Sequence, residues 1–229
     1  MKNKGDPVRF QLESFNAISE QLRREIEAVG KIVAFDKHDV LFDVDETLEH
    51  FFFFLSGKVK IFDMNLNNGK EQTLYLLGRG DMFDTVTLLD GKPHEVMSEI
   101  LEAGEALKVP IGKVREWMYD YPIFGEIVLK YVAGQLRHVE ELAADLTLLD
   151  TRERLIKLIV ENIEKSRHTG QNMLENLSHA EIAKLIGTVR HVVDRHIKQL
   201  KSEGLIEAGR RKIALKNMEK LQEKLDSLL

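Results

Sequence analysis

Residues 187–205, GTVRHVVDRHIKQLKSEGL, gather Arg190, Arg195, Lys198 and Lys201 on one short segment of a chain whose formal net charge is −5. At about 100° per residue, Arg190, His191, Asp194, Arg195, Lys198 and Lys201 share one arc of roughly 140°. Val189, Val192, Val193, His196, Ile197 and Leu200 fill the opposite arc. One face therefore packs, and the other meets something wet and anionic. Arg190 and Arg195 can each donate two parallel hydrogen bonds to guanine O6 and N7, worth about 1–3 kcal/mol of discrimination. Either can instead hold a phosphate, which fixes position without reading sequence. Asp194 can accept from a cytosine amino group or orient Arg190 or Lys198 by an ion pair. His191 can reach a base or a phosphate, whereas His196 falls on the packing side. Thr188 is expected to cap the helix and to touch a phosphate.

The neighbouring sequence supplies what such a helix needs. Ser178-His179-Ala180-Glu181 has the form of a capping box and opens a short helix, HAEIAKLIG. Ile186-Gly187-Thr188 then makes a tight turn into the basic helix, which predicts a helix-turn-helix. Ala183 is small where the two helices must cross. The first residues of the second helix are those that reach base edges in a major groove. After Gly204, LIEAGRRKIAL reads as two short strands about Gly209, a wing that would carry Arg210, Arg211 and Lys212 to phosphates. The expected DNA contacts are Ser178, Thr188, Arg190, His191, Asp194, Arg195, Lys198, Arg210, Arg211 and Lys212.

Farther from this reader, residues 31–110 read as short strands: KIVAF, DVLFD, HFFFFLSG, KVKIFDM, TLYLLGRGD and EALKVP. The turns Asn67-Asn68-Gly69 and Gly78-Arg79-Gly80 suggest an antiparallel barrel or sandwich. Phe51 to Phe54 read as a strand buried on both faces. Helical texture begins at Ile111. From Ile123 to Leu149, Val128, Val132, Gln135, Val139, Leu142, Leu146 and Leu149 make a heptad seam, which Leu129, Leu136 and Ala143 widen. Such a seam suits a helix that pairs with its twin in a homodimer. Asp150-Thr151-Arg152-Glu153, a second capping box, marks a hinge. The expected fold is α+β, with residues 1–122 a β-roll sensing domain, 123–149 a dimerisation helix and 150–229 a winged helix-turn-helix.

Charge divides along the same line. Residues 151–229 hold 16 Lys+Arg against 11 Asp+Glu, and residues 1–150 hold 17 against 27. A basic tail on an acidic partner suits a protein whose one half meets nucleic acid. The chain contains no cysteine, which excludes disulfides, thiol nucleophiles, Cys-ligated zinc and iron–sulfur clusters. No apolar run approaches the roughly 20 residues that span a bilayer, and the start shows no signal-peptide pattern. The expectation is a cytoplasmic protein without membrane contact. No Ser/His/Asp arrangement, phosphate-cradling glycine loop or metal-spaced set stands out, so the chain does not read as an enzyme.

A Gly-punctuated β-roll, a long helix and a winged helix-turn-helix together resemble the CRP/FNR family of bacterial transcription regulators. The motifs that carry the resemblance are LSGKVKIF…LGRGDMF in the roll and LSHAEIAKLIGTVRHVVDRHIKQLKSEGLI in the reader. It implies a homodimer on an approximately palindromic duplex, a small-molecule effector in the roll, and RNA polymerase as a partner. Family members often carry Arg-Glu and a second Arg in the reading helix; Arg190 and Arg195 match, but His191 stands at the Glu position. Cyclic-nucleotide-binding members hold ribose with a Glu and phosphate with an Arg after the Gly-Asp turn. The matching stretch here is GDMFDTVTLLDGKPHEVMSEI, where Thr85 takes the Glu position and His94 or Glu95 the Arg position. The resemblance thus leaves cyclic AMP a minority ligand. Effector-lining candidates are Phe83, Thr85, Val86, His94, Glu95, Val132 and Leu136. Haem-binding gas sensors of NO or CO form another branch; His50, His94 and Met82, with Met64 and Met97, are candidate axial ligands. A rival reading is a β-roll regulatory subunit whose tail binds protein rather than DNA. The basic arc argues against it, because a partner groove would want exposed apolar anchors.

Overall fold

A computed structural model of the chain describes residues 18–37, 39, 44–209, 212–216 and 220–221. The chain divides into two compact units, one of Met1–Ile61 with Leu77–Arg137 and one of Phe62–Leu76 with His138–Leu229. Among the described residues no helix is long and apolar enough to cross a membrane.

The first unit opens with α1 (Glu20–Val29), whose cap Ser19 accepts from the Leu22 amide at 3.2 Å. Leu22 and Ile26, one turn apart, are buried in one core with Phe51, Phe53, Met82, Leu107 and Val109. The strands that follow are β1 (Lys31–Phe35), β2 (His50–Phe54), β3 (Lys58–Asn65), β4 (Lys70–Leu77), β5 (Met82–Phe83), β6 (Met97–Glu102) and β7 (Gly104–Pro110), of which the end of β3 from Phe62 and β4 up to Leu76 fall in the second unit. One sheet has the order β1-β7-β2-β5 and a second the order β4-β3-β6. In the first, β2 pairs antiparallel with β7 from His50↔Pro110 to Phe54↔Ala106.

Every phenylalanine of β2 is buried, so the strand is covered on both faces. Phe51 and Phe53 meet edge to face at 5.0 Å within the core, and Phe54 meets Phe35 at 6.0 Å. Two short helices, α2 (Val44–Glu49) and α3 (Thr85–Asp90), interrupt what the sequence presents as strands alone. β6 is a strand that the sequence pattern did not reveal. Of DVLFD, only Asp39 lies among the described residues.

Helix α4 (Ile111–Asp120) closes the core with Ile111, Val114 and Trp117, and α5 (Pro122–Leu148) adds Phe124 and Val128. Of the heptad seam expected on α5, Val128 is taken up by the first unit's core, while the residues that widen the seam stay open. Val128 is 0% exposed in the first unit's core, while Leu129 and Leu136 are 55% and 60% exposed. The apolar stripe that stays open runs through Leu129, Leu136, Val139 and Ala143, with half-buried Val132 between them, spaced three and four apart.

The second unit holds α6 (Thr151–Thr169), α7 (His179–Leu185), α8 (Arg190–Ser202), β8 (Ile206–Gly209) and β9 (Lys212–Leu215). Leu155, Ile159, Ile182, Val193, Ile197 and Leu200 supply its buried apolar side chains.

Candidate nucleic-acid interface

Both capping boxes form. Asp150 accepts from the amides of Arg152 and Glu153 at 2.7 and 2.9 Å, and Glu153 accepts from the Asp150 amide at 2.7 Å. Ser178 accepts from the Glu181 amide at 3.2 Å while Glu181 accepts in return. Ser178 is thereby committed to starting α7. The α7–α8 turn places Gly187 at φ +63°, and a Cβ there would lie 2.5 Å from Leu146 Cδ2. Glycine satisfies both demands, a left-handed backbone and a close approach. The Thr188 amide then donates to the Ala183 carbonyl at 2.9 Å.

The cap of α8 is Val189, not Thr188 as the sequence suggests, and Val189 makes no side-chain cap bond. Extended at the helix mouth, Val189 is exposed instead of lying on the packing face. Of the remaining inner residues, Val193, His196, Ile197 and Leu200 are buried and Val192 is half-buried. His196 bonds Thr151 through Nε2 at 2.9 Å and Gln199 through Nδ1 at 3.3 Å. Arg190, His191, Arg195 and Lys198 are exposed on the opposite side. Asp194 stands among them with both oxygens engaged, Oδ1 by His179 of α7 and Oδ2 by Arg190 Nε at 3.6 Å. The bond from His179 holds the Asp194 carboxyl below its usual range, and nearby Arg190 and Lys198 add to this.

Behind α8, the Leu205 amide donates to Leu200 O at 3.0 Å and the Lys216 amide to Leu205 O at 3.1 Å, tying the β8–β9 ribbon to the helix. Arg210 and Arg211 lie outside the described residues, and Lys212 is placed as the first residue of β9. The outer end of the β3–β4 hairpin belongs to this unit as well. Glu71 pairs with Lys184 of α7 at 2.6 Å, and Gln72 Nε2 donates to Leu185 O at 3.1 Å. His138 of α5 bonds Leu74 O at 2.9 Å.

In the first unit, the cassette after Gly80 is organised around Asp84, a residue that sequence reasoning passed over. Its buried carboxylate takes a hydrogen bond from Thr87 Oγ1 at 2.6 Å and shares one with His94 Nδ1 at 2.8 Å. That bond raises the His94 imidazole above its ordinary value, against its partial burial. The Arg115 guanidinium donates to Leu88 O and Thr87 O, both at 2.8 Å, and so clamps α3 to α4. Tyr131 of α5 donates to Met82 O at 3.1 Å, and burial pushes its hydroxyl well up. Thr85 and Val86 lie on α3, Phe83 is buried in β5 and Glu95 is exposed. Val132 and Leu136 lie on the open stripe of α5. Of the candidate iron ligands, Met82 is packed into the core, His94 is committed to Asp84, and His50 keeps a buried Nδ1 with no hydrogen-bond partner among the described residues.

Two family models cover most of this architecture: a cyclic nucleotide-binding domain over residues 32–121 and a Crp-like helix-turn-helix domain over residues 153–224. The chain belongs to the CRP/FNR family of transcription regulators. Among CRP/FNR relatives, it is 25% identical over 192 residues to a CRP-like cAMP-activated global transcriptional regulator of Mycobacterium tuberculosis, covering 82% of this chain and 85% of the relative. It is 28% identical to the cyclic AMP receptor protein of Thermus thermophilus, covering 67% and 69%. The solved structure of FixK2 from Bradyrhizobium japonicum superposes with a TM-score of 0.74 at 22% identity, covering 85% and 96%. The antiparallel roll, long helix and C-terminal helix-turn-helix are the CRP/FNR fold.

Three site features escaped the sequence. Asp84 and Arg115 look like ordinary surface charges, and only the fold shows where they aim. His179 looked like filler inside a capping box, although its position one residue after the cap already placed it beside the reading helix.

Proposed function

We propose that this CRP/FNR chain acts as a homodimer that reads double-stranded DNA with α8, under the control of a small effector in the roll other than a cyclic nucleotide. The observation that carries the DNA reading is α8 itself. Its buried inner face locks it across α7, and its outer face presents Arg190, His191, Arg195 and Lys198 to solvent with no acid but Asp194 among them. The stripe on α5 supports pairing with a second copy, because Leu129, Leu136, Val139 and Ala143, left in water at heptad spacing, carry a cost that a twin helix removes. The effector reading rests on Asp84. A cyclic phosphate entering the cassette would meet a buried carboxylate, while the adjacent Arg115 guanidinium is spent on α3 carbonyls. This arrangement supports a ligand other than a cyclic phosphate.

A gel-shift titration of the full chain on a randomised duplex pool across salt tests the DNA reading. Log affinity should fall linearly with log salt as phosphate contacts release counterions. Affinity that ignores salt, or no binding in dilute buffer, sinks it. On a duplex selected from that pool, Arg190→Ala should cost about 1–3 kcal/mol and relax one base position. Lys198→Ala should instead weaken all sequences alike and reduce the salt slope by about one.

A further inference from the structure

A carboxylate on a surface meant for phosphates needs a reason, and Asp194 has an unusual setting. It bridges two helices: Oδ1 bonds His179, the first residue of α7, and Oδ2 faces Arg190 Nε at 3.6 Å. His179 is itself fixed, because the Ser178–Glu181 box sets the start of α7. Arg190 has no such anchor of its own; its side chain is 73% exposed at the first position of α8. A free arginine there would have to lose considerable rotamer freedom on meeting a base. With Nε turned toward Asp194, the two terminal nitrogens form the edge that remains open, and that is the edge a guanine O6/N7 pair accepts from.

We propose that Asp194 is a specificity-determining positioning residue, held from α7 by His179, which aims the Arg190 guanidinium at a base edge without itself reading a base. This rests on the DNA reading above. It also accounts for the sign of the charge. The carboxylate weakens attraction to phosphate along the whole duplex, but it gains discrimination at one base pair by orienting the arginine beforehand.

The test uses the full chain and a duplex selected from a randomised pool by the wild type. Affinities are measured for that duplex and for each of its single-base-pair variants. The base pair whose preference Arg190→Ala erases marks where Arg190 reads. Asp194→Asn keeps the shape and an acceptor for His179, but presents an amide N–H toward Arg190 Nε. It should lower the preference at that same base pair at least about fivefold, while affinity for unrelated duplexes stays level or tightens. In the Arg190→Ala background it should change preference no further. His179→Ala should reproduce part of the loss, and His179→Asn, which keeps a donor near the Nδ1 position, should restore it. The proposal is overturned if Asp194→Asn keeps the wild-type preference or weakens all duplexes equally, as a purely structural role would. It is overturned too if preference is lost at a base pair that Arg190 does not read, which would make Asp194 a base contact in its own right. A wild type that binds no duplex overturns the DNA reading itself, a result distinct from a wild type that reads sequence without help from Asp194.

Discussion

His94 shows how one side chain ties the first unit to pH. Its hydrogen bond to Asp84 raises its pKa, partial burial opposes this, and the charges of Asp84 and Asp90 add to the rise. A raised folded value means the folded protein holds the proton more tightly than the unfolded chain. The stabilisation is therefore fully present below the unfolded value of about 6.5 and drains away as pH climbs through the higher folded one. The melting temperature should fall as pH rises above about 6.5 by an increment that His94→Asn lacks, since Asn can donate to Asp84 but does not titrate. Equal pH profiles for the two proteins, followed by calorimetry, would dispose of this account. The sequence marked His94 as an effector candidate but gave no hint of Asp84 as its partner. The two lie ten residues apart across a turn, and residue types alone do not say which side chains aim at each other.

Helices with their signals close at hand were the most legible elements. The box at Asp150 and Glu153 could be read directly, because a cap and its partner three residues on are local chemistry. Asp150→Ala should cost about 1 kcal/mol by leaving the first amides of α6 without an acceptor. Asp150→Ser should recover most of it, and urea unfolding of the two variants measures the difference. β2 was legible for a similar reason, since four successive phenylalanines suit only a strand covered on both sides. The α5 seam was legible in its period and in its members Leu129, Val132, Leu136, Val139 and Ala143, but not in the loss of Val128 to the core. Two apolar faces run side by side along that helix, and nothing in the spacing says that the face bearing Phe124 and Val128 is consumed by the first unit's core. Least visible was the hairpin end, whose Gln72 donates to Leu185 O from 113 positions away. The helices α2 and α3, each 6 residues long, are too short to show a period.

For the molecule as a whole, the proposed dimer makes the roll, α5 and the reader mutually dependent. In that dimer one copy of α8 would contact one half-site, and the same contacts made twice on a linked pair would gain avidity of about 10²–10⁴-fold over a single engagement. That gain exists only while α5 pairs with its twin. Leu136 is 60% exposed at the middle of the open stripe, distant in sequence from both Asp84 and Arg190. Leu136→Glu places a charge where the stripe would be buried, and two copies would bring two such charges together. Sedimentation should then report a species near 26.3 kDa instead of twice that mass. Affinity for a two-half-site duplex should fall toward that for a single half-site, which should itself be unchanged because α7 and α8 are untouched. Should the variant keep the wild-type mass and its preference for paired half-sites, the exposed stripe has some other purpose and the reader does not depend on it. Should the variant become monomeric yet lose single half-site binding too, the second unit draws on α5 for more than spacing. The contact of His138 with Leu74, two residues beyond Leu136, is where that dependence would enter.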